Sequence, residues 1–218
     1  MDPEVIKDKT RKTYNEVGPE YDSWYWFKKA RELRAGLRKR VLEVLDSKID
    51  KKVKILELCS GTGYLVEELS KRGEYSGLDF APRMISHCEE KHPQCKFVLA
   101  EAEEIPFKES SFDVVICFWS FHHIVYPENV LSEIKRVLKP NGVVIIATFK
   151  DVRFNLAAKL GDIMSSRYWG FVTKRYSPKA MRALMEPRFK NVDIEIYPES
   201  KKLLDLLGIR FIVASGRK

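Results

Sequence analysis

Two acids and a run of small residues set up the chemistry of this 218-residue chain. Residues 53–69 read VKILELCSGTGYLVEEL, an aliphatic run containing Glu57, the small-residue stretch Cys59-Ser60-Gly61-Thr62-Gly63, and helical periodicity from Tyr64. A turn free of bulky side chains before a helix offers backbone amides to an anionic or polar ligand group. The run YSGLD ends in Asp79, 22 residues after Glu57. An acid so placed accepts hydrogen bonds from the two ribose hydroxyls of an adenosine-containing cofactor. No Gly-Lys-Ser/Thr follows the turn, which excludes a P-loop. A dinucleotide fingerprint wants a third glycine where this chain has Val66, so NAD is the weaker alternative. His122 and His123 follow a further apolar run, and histidine is the side chain whose ordinary pKa suits proton transfer near neutrality.

Positioning these residues requires a sheet. Apolar or β-branched runs recur at Val53–Leu58, Tyr75–Leu78, Lys96–Ala100, Asp113–Phe118 and Val143–Phe149, most of them followed by helical periodicity. That alternation predicts parallel strands with helices on both faces. Pro82 and Pro127 suit first helical turns, and Lys139-Pro140-Asn141-Gly142 predicts a helix stop before a strand resumes at Val143. Ser177-Pro178 supplies an N-cap and a first-turn proline for a later helix. Two alternating runs, Asn191–Tyr197 and Ile209–Ser215, predict an antiparallel pair at the sheet edge. The expected fold is α/β, a Rossmann-like, doubly wound seven-stranded sheet, mostly parallel with an antiparallel C-terminal edge hairpin. The expected organisation is a single domain, with an N-terminal helical cover at 1–52, a cofactor-binding core at 53–150, a lid or cap insertion at 151–176 and a C-terminal helix with strands at 177–218.

Charge is unevenly spread. Residues 1–52 carry 14 Lys/Arg against 10 Asp/Glu, residues 53–149 carry 10 against 14, and residues 150–218 carry 15 against 7. Basic flanks around an acidic centre suit an anionic substrate, an RNA or a lipid surface, and equally suit solvated surface lysine. No apolar run is long enough to cross a bilayer and the first residues lack an apolar signal core, so a cytoplasmic protein is expected. Cys59, Cys88, Cys95 and Cys117 show no paired framework and read as reduced thiols. His87, Cys88, His92 and Cys95 lack the usual paired zinc-ligand spacing, so no metal is expected. Trp24-Tyr25-Trp26-Phe27-Lys28-Lys29 suits a membrane-surface anchor or, better given its place before the first strand, a helix over the site.

The motifs together resemble the class I S-adenosylmethionine (SAM) dependent methyltransferases, and most closely their small-molecule branch that includes the quinone-biosynthesis C-methyltransferases. ILELCSGTG resembles the first motif, with Glu57 as its acid, Gly61 and Gly63 as its later glycines and Cys59 in place of its first glycine. GLDFAPRMI resembles the ribose motif of Asp79, Phe80 and Met84, and AEAEEIPF resembles the third-strand motif, with Glu101 and Ala102 beside the adenine. SFDVVICFWSFHHI and EIKRVLKPNGVVII resemble the fourth- and fifth-strand motifs. The resemblance spans roughly residues 53–150 and implies SAM as cofactor. It implies contacts from Glu57, Cys59, Gly61, Gly63, Asp79, Phe80, Met84, Glu101, Ala102 and Phe118. Cysteine is small and its position is not expected to need a positive φ, so SAM binding is expected to survive the replacement. His122 matches a histidine that assists deprotonation in phospho-base methyltransferases, and Tyr21 matches a cofactor-covering tyrosine; these two are the catalytic candidates, with Tyr14 as a further phenol. Phe118, Trp119 and Phe121 are candidate walls.

Methyl transfer is an in-line displacement that mainly demands alignment and exclusion of water. The implied partner is a small-molecule methyl acceptor, anionic or amphipathic, shaped by cap residues such as Arg153, Arg167, Tyr168, Trp169 and Lys174. Cys117-Phe118-Trp119-Ser120 has neither the Asn-Pro-Pro-Tyr type of run nor the Pro-Cys pair of base methyltransferases, which disfavours nucleic acid. The alternatives are an RNA or protein methyltransferase, and a non-catalytic binding module that uses its basic flanks.

Overall fold

The computed structural model describes residues 2–23, 31–151, 159–160, 162–163, 173–198 and 210–218, without the side chains of residues 19, 21 and 23. The aromatic-basic cluster at 24–30, the cap residues Arg153, Arg167, Tyr168 and Trp169, the side chain of Tyr21, and Ile209 lie outside the described residues.

Seven strands form one sheet in the order β3-β2-β1-β4-β5-β7-β6. They are β1 (Val53–Leu58), β2 (Gly73–Asp79), β3 (Lys96–Leu99), β4 (Phe112–Phe118), β5 (Leu138–Phe149), β6 (Lys190–Tyr197) and β7 (Phe211–Arg217). The first five pair in parallel, and β7 runs antiparallel between β5 and β6. The expected mostly parallel sheet with an antiparallel C-terminal pair is therefore observed. The final strand begins and ends two residues later than its alternating pattern suggested.

Each central strand is buried on both faces, which is why it reads as an almost unbroken apolar run. Leu56 and Leu58 of β1 join the core under α5 (Pro127–Val137) and α6 (Pro178–Met185). Val53 and Ile55 join the opposite core with α2 (Arg31–Asp46), α3 (Val66–Ser70) and α4 (Pro82–Lys91). Pro82, Pro127 and Pro178 occupy first turns, where a missing N–H costs nothing, and the Ser177 hydroxyl accepts from the Ala180 amide at 3.1 Å.

Two local readings needed correction. The first helix after β1 begins at Val66 rather than Tyr64 and is only five residues long, so the preceding turn, more than helix amides, shapes the site. Strand β5 starts at Leu138, directly after α5; Leu138 pairs with Phe112, and residues 139–142 then bulge before Val143 pairs with Val114. Asn141 takes a left-handed φ of 63° to make that bulge.

Register decides what emerges at the carboxyl ends. Leu58 lies beside Leu78 on one side and Cys117 on the other, so Cys59, Asp79 and Phe118 come out together at the top of the sheet. This is the switch point between β1 and β4, where the crossover after β1 runs to one side and that after β4 to the other, the position at which open α/β sheets bind ligands. Helix α1 (Pro3–Val17) lies over it. Arg83 at the start of α4 ties down α1's far end, donating to the Glu16 carbonyl at 2.7 Å and the Asn15 carbonyl at 3.3 Å.

Candidate functional site

The turn after β1 is bent back by three left-handed residues: Cys59 at φ 55°, Gly61 at 54° and Gly63 at 76°. The expectation that Cys59 avoids positive φ is therefore corrected. Its Ser60 neighbour must turn to donate to the Leu78 carbonyl at 3.0 Å, and the chain cannot do so from the extended region. Holding a non-glycine residue there costs about 1–2 kcal/mol. The thiol is half-buried against the core, and the adjacent Cys117 thiol, then burial, push its pKa well above the usual range, so it is no nucleophile at neutral pH. Gly63 serves packing: a Cβ there would lie 3.1 Å from Val66 and 3.2 Å from the Cys88 sulfur.

A second hydrogen bond joins the turn to β2, this time through a side chain. The Gly61 amide donates to Asp79 Oδ2 at 2.9 Å, and the Ala81 amide donates to Oδ1 at 3.0 Å. Burial raises the Asp79 pKa, while the amides of Ala81, Gly61 and Phe80 pull it back down. On the other side of the Gly61 peptide, the Cys88 thiol donates to the Gly61 carbonyl at 3.1 Å. Glu57 is only 3% exposed, and burial pushes its carboxyl up to about 8 even though the Tyr75 hydroxyl donates to it at 2.7 Å. Gly77 makes that contact possible, since a Cβ there would stand 2.9 Å from the Tyr75 oxygen and 2.8 Å from Phe97.

These groups open on a cavity of about 1030 Å³, counting its open mouth. Glu57, Cys59, Gly61, Asp79, Phe80, Met84, Glu101, Ala102 and Phe118 all line it; Gly63 lies behind the turn. Glu101, expected beside an adenine, is ion-paired with Lys7 and Arg11 of α1. Tyr64 stacks on Phe118 with centroids 5.9 Å apart, and the Arg34 guanidinium lies 3.8 Å over the Tyr64 ring.

The histidine pair separates. His123 lines the cavity, with its Nε2 3.0 Å from the Tyr14 hydroxyl of α1. His122 does not line it; it is 3% exposed, packed 4.6 Å from the Phe149 ring, with Nδ1 unpartnered among the described residues. Burial, then His123 and Arg175, hold its pKa well below the ordinary value, so it is neutral. The physical reason is the 3₁₀ turn Phe121–His123, which rotates successive side chains by roughly a third of a turn. Lys174, expected to shape the acceptor pocket, is held by its Nζ on the Val125 carbonyl at 2.7 Å. Composition at the end of β4 marked the His-His pair but not which member faces the cavity, and nothing local marked Lys7, Thr10 or Arg34.

The residues fit a SAM-sized group. The Ser60 hydroxyl is buried on the cavity wall without a hydrogen-bond partner among the described residues, and a Cβ at Gly61 would meet nothing nearer than 4.0 Å. Asp79 presents a fixed carboxylate beside the apolar surfaces of Met84 and Ala102. Among the described residues, no group of three His, Cys, Asp or Glu stands ready for a metal ion, and no helix is long and apolar enough to cross a membrane.

This sheet order and this turn-to-acid contact define a Rossmann-like α/β domain. The family described as methyltransferase domain matches residues 56–146, and the chain is similar to SAM-dependent methyltransferases. It is 31% identical over 169 residues to a ubiquinone/menaquinone biosynthesis C-methyltransferase of Wigglesworthia glossinidia brevipalpis, covering 71% of this chain and 64% of that one. It is 29% identical over 195 residues to a demethylmenaquinone methyltransferase of Thermus thermophilus, covering 80% and 85%. Of two further curated relatives the chain spans only 28% and 55% of the length. A solved Burkholderia thailandensis 1,6-didemethyltoxoflavin-N1-methyltransferase, bound to its substrate and S-adenosylhomocysteine, shares the fold at a TM-score of 0.71 and 14% identity, covering 100% of this chain and 91% of that one.

Two outcomes are expected. Between the ordinary carboxyl value of 4.5 and about 8, the folded chain holds a proton on Glu57 that the unfolded chain has lost. This group's contribution to stability therefore falls as pH rises through that window. Glu57→Gln should gain on the wild type in urea unfolding between about pH 5 and about pH 8; a constant difference contradicts the buried proton. At the turn, Cys59→Gly should be about 1 kcal/mol more stable than Cys59→Ala, because both lose the thiol and only alanine keeps the left-handed strain. Equal stabilities would show that the backbone relaxes.

Proposed function

We propose that this protein transfers the methyl group of SAM to a small apolar or amphipathic acceptor by in-line displacement. The observation that carries the reading is the convergence of the Gly61–Asp79 contact and the Tyr14–His123 pair on one cavity. When bound, SAM supplies an electrophilic methyl carbon on a sulfonium sulfur. Asp79 would hold the ribose hydroxyls, and Met84 and Ala102 would offer the adenine an apolar surface. The faces of Phe118 and Trp119 favour a neighbouring positive charge. Helix α1 covers the cavity and keeps water from the reacting atoms.

The acceptor must lose a proton as it gains the methyl group. Tyr14 oxygen takes that proton as its own passes to His123 Nε2, and the two residues come from elements that meet only when α1 is seated. The role expected at His122 is thus assigned to His123. The apolar walls given by Phe118, Trp119, Ile124 and Val125 suit a ring or chain, consistent with relatives named for ubiquinone, menaquinone and demethylmenaquinone. Trp119 is held at φ 56°, left-handed for a bulky residue, with its ring wedged 4.5 Å from Phe211. Such a conformation persists only where packing over-determines it, as at ligand-facing positions.

Release of S-adenosylhomocysteine, measured over a panel of hydroxylated naphthalenes and apolar amines, tests the activity. His123→Ala and Tyr14→Phe should lower turnover by about 10²-fold or more while cofactor affinity stays within about threefold. His122→Ala should cost stability and spare turnover. Turnover lost equally in His122→Ala and His123→Ala would contradict the assignment.

A further inference from the structure

Four residues with metal-ligand side chains, His87, Cys88, His92 and Cys95, run along α4 and the turn before β3, and the proposed reaction uses none of them. They form no metal cluster among the described residues. The two thiols are engaged locally: Cys88 donates to the Gly61 carbonyl at 3.1 Å, and the Cys95 sulfur lies 3.4 Å from the Ser70 hydroxyl. His92 is the exception. It is 5% exposed, and its Nε2 is buried without a hydrogen-bond partner among the described residues.

That nitrogen belongs to a ring that backs the turn after β1. A Cβ on Gly63 would lie 3.4 Å from His92 Cδ2 and 3.2 Å from the Cys88 sulfur, so two side chains from the C-terminal end of α4 close the space behind Gly63. The backbone of His92 is fixed, its amide donating to the Cys88 carbonyl at 2.8 Å and its carbonyl accepting from the Cys95 amide at 2.9 Å. Any response to a change of charge therefore falls to the side chain.

An imidazole in this place is suited to its neutral form. Once charged, both ring nitrogens carry protons, and the buried Nε2–H would face its wall without an acceptor. Burial first, then Lys91 and His87 of α4, hold the His92 pKa below the ordinary 6.5, against the pull of Glu67 on α3. Cys88 beside it is a neutral thiol, pushed by burial up to about 12. Glu67 is exposed, so the carboxylate that favours a charged ring lies outward, away from Gly63.

We propose that His92 is an acid-sensitive prop for the turn that carries the cofactor. Neutral, its ring fills the space behind Gly63 and keeps the turn seated against Asp79; charged, it swings toward Glu67 and water, and the turn loses its backing. Cofactor affinity then falls in acid through a residue that does not line the cavity. The inference rests on the cofactor reading above and goes beyond it by coupling that site to pH.

Calorimetric titration of the full chain with S-adenosylhomocysteine between about pH 7.5 and about pH 5 tests this, with His92→Phe, which fills the space and cannot charge, as the comparison. Wild-type affinity should fall several-fold more over that range than the affinity of His92→Phe. Two substitutions of exposed residues move the transition without entering the core: Glu67→Gln should displace it to lower pH and Lys91→Gln to higher pH, since each removes one influence on the charged ring. Thermal melts establish that each variant is folded. Parallel curves for wild type and His92→Phe, or displacements of the opposite sign, overturn the proposal. Wild-type protein that binds no S-adenosylhomocysteine at any pH refutes the cofactor reading, and urea unfolding then decides the prop by itself. A lowered pKa makes the His92 contribution to stability complete above the ordinary value of 6.5 and lost as pH falls through the folded value, so the wild type should lose stability relative to His92→Phe in acid. A stability difference that stays constant with pH overturns the prop.

Discussion

The hydrogen bond between the Gly61 amide and the Asp79 carboxylate is the constraint on which the site depends. It exists because β1 and β2 are in parallel register to their last residues, and because the chain leaving β1 turns back through left-handed conformations at Cys59 and Gly61. Asp79 consequently lines the cavity with the Gly61 and Ala81 amides on its carboxylate. A buried acid without such partners would protonate and lose its value as an acceptor for ribose. Glu57, held by a single tyrosine hydroxyl, shows that alternative one strand away.

The cover is held by polar contacts at its edges. Lys7 and Arg11 reach Glu101, Arg83 reaches the end of α1, and Asp22 bridges Arg34 and Thr62. These are side-chain contacts that can be exchanged one at a time, unlike the packed apolar core beneath them. A cavity that must admit two molecules and then exclude water needs such a closure. The acidic centre and basic flanks of the sequence find their physical meaning here in part, since cations of the N-terminal flank pair with acids of the core.

Much of this was legible in the sequence where signals are local or periodic. The apolar runs gave the strands, the proline positions gave three helix starts, and the spacing from Glu57 to Asp79 placed an acid at the second strand's end. What escaped depends on rotation and tertiary approach. A 3₁₀ turn decides that His123 and not His122 meets the cavity, and no pattern in Phe-His-His encodes its phase. The positive φ of Cys59 follows from where the Ser60 amide must point, which requires β2 to be in place. Lys7, Arg34 and Asp22 come from a flank with ordinary surface composition, and only the docking of α1 and α2 shows their partners.

The account stands or falls on Asp79 as the anchor of an adenosine ribose in a SAM site. Calorimetric titration of the wild type and Asp79→Ala with S-adenosylhomocysteine, with NAD in parallel, tests this most directly. Binding of S-adenosylhomocysteine and not NAD by the wild type, lost by about 100-fold or more in Asp79→Ala with the fold intact, is the predicted result. Undiminished binding in Asp79→Ala, or binding of NAD in preference, would contradict it.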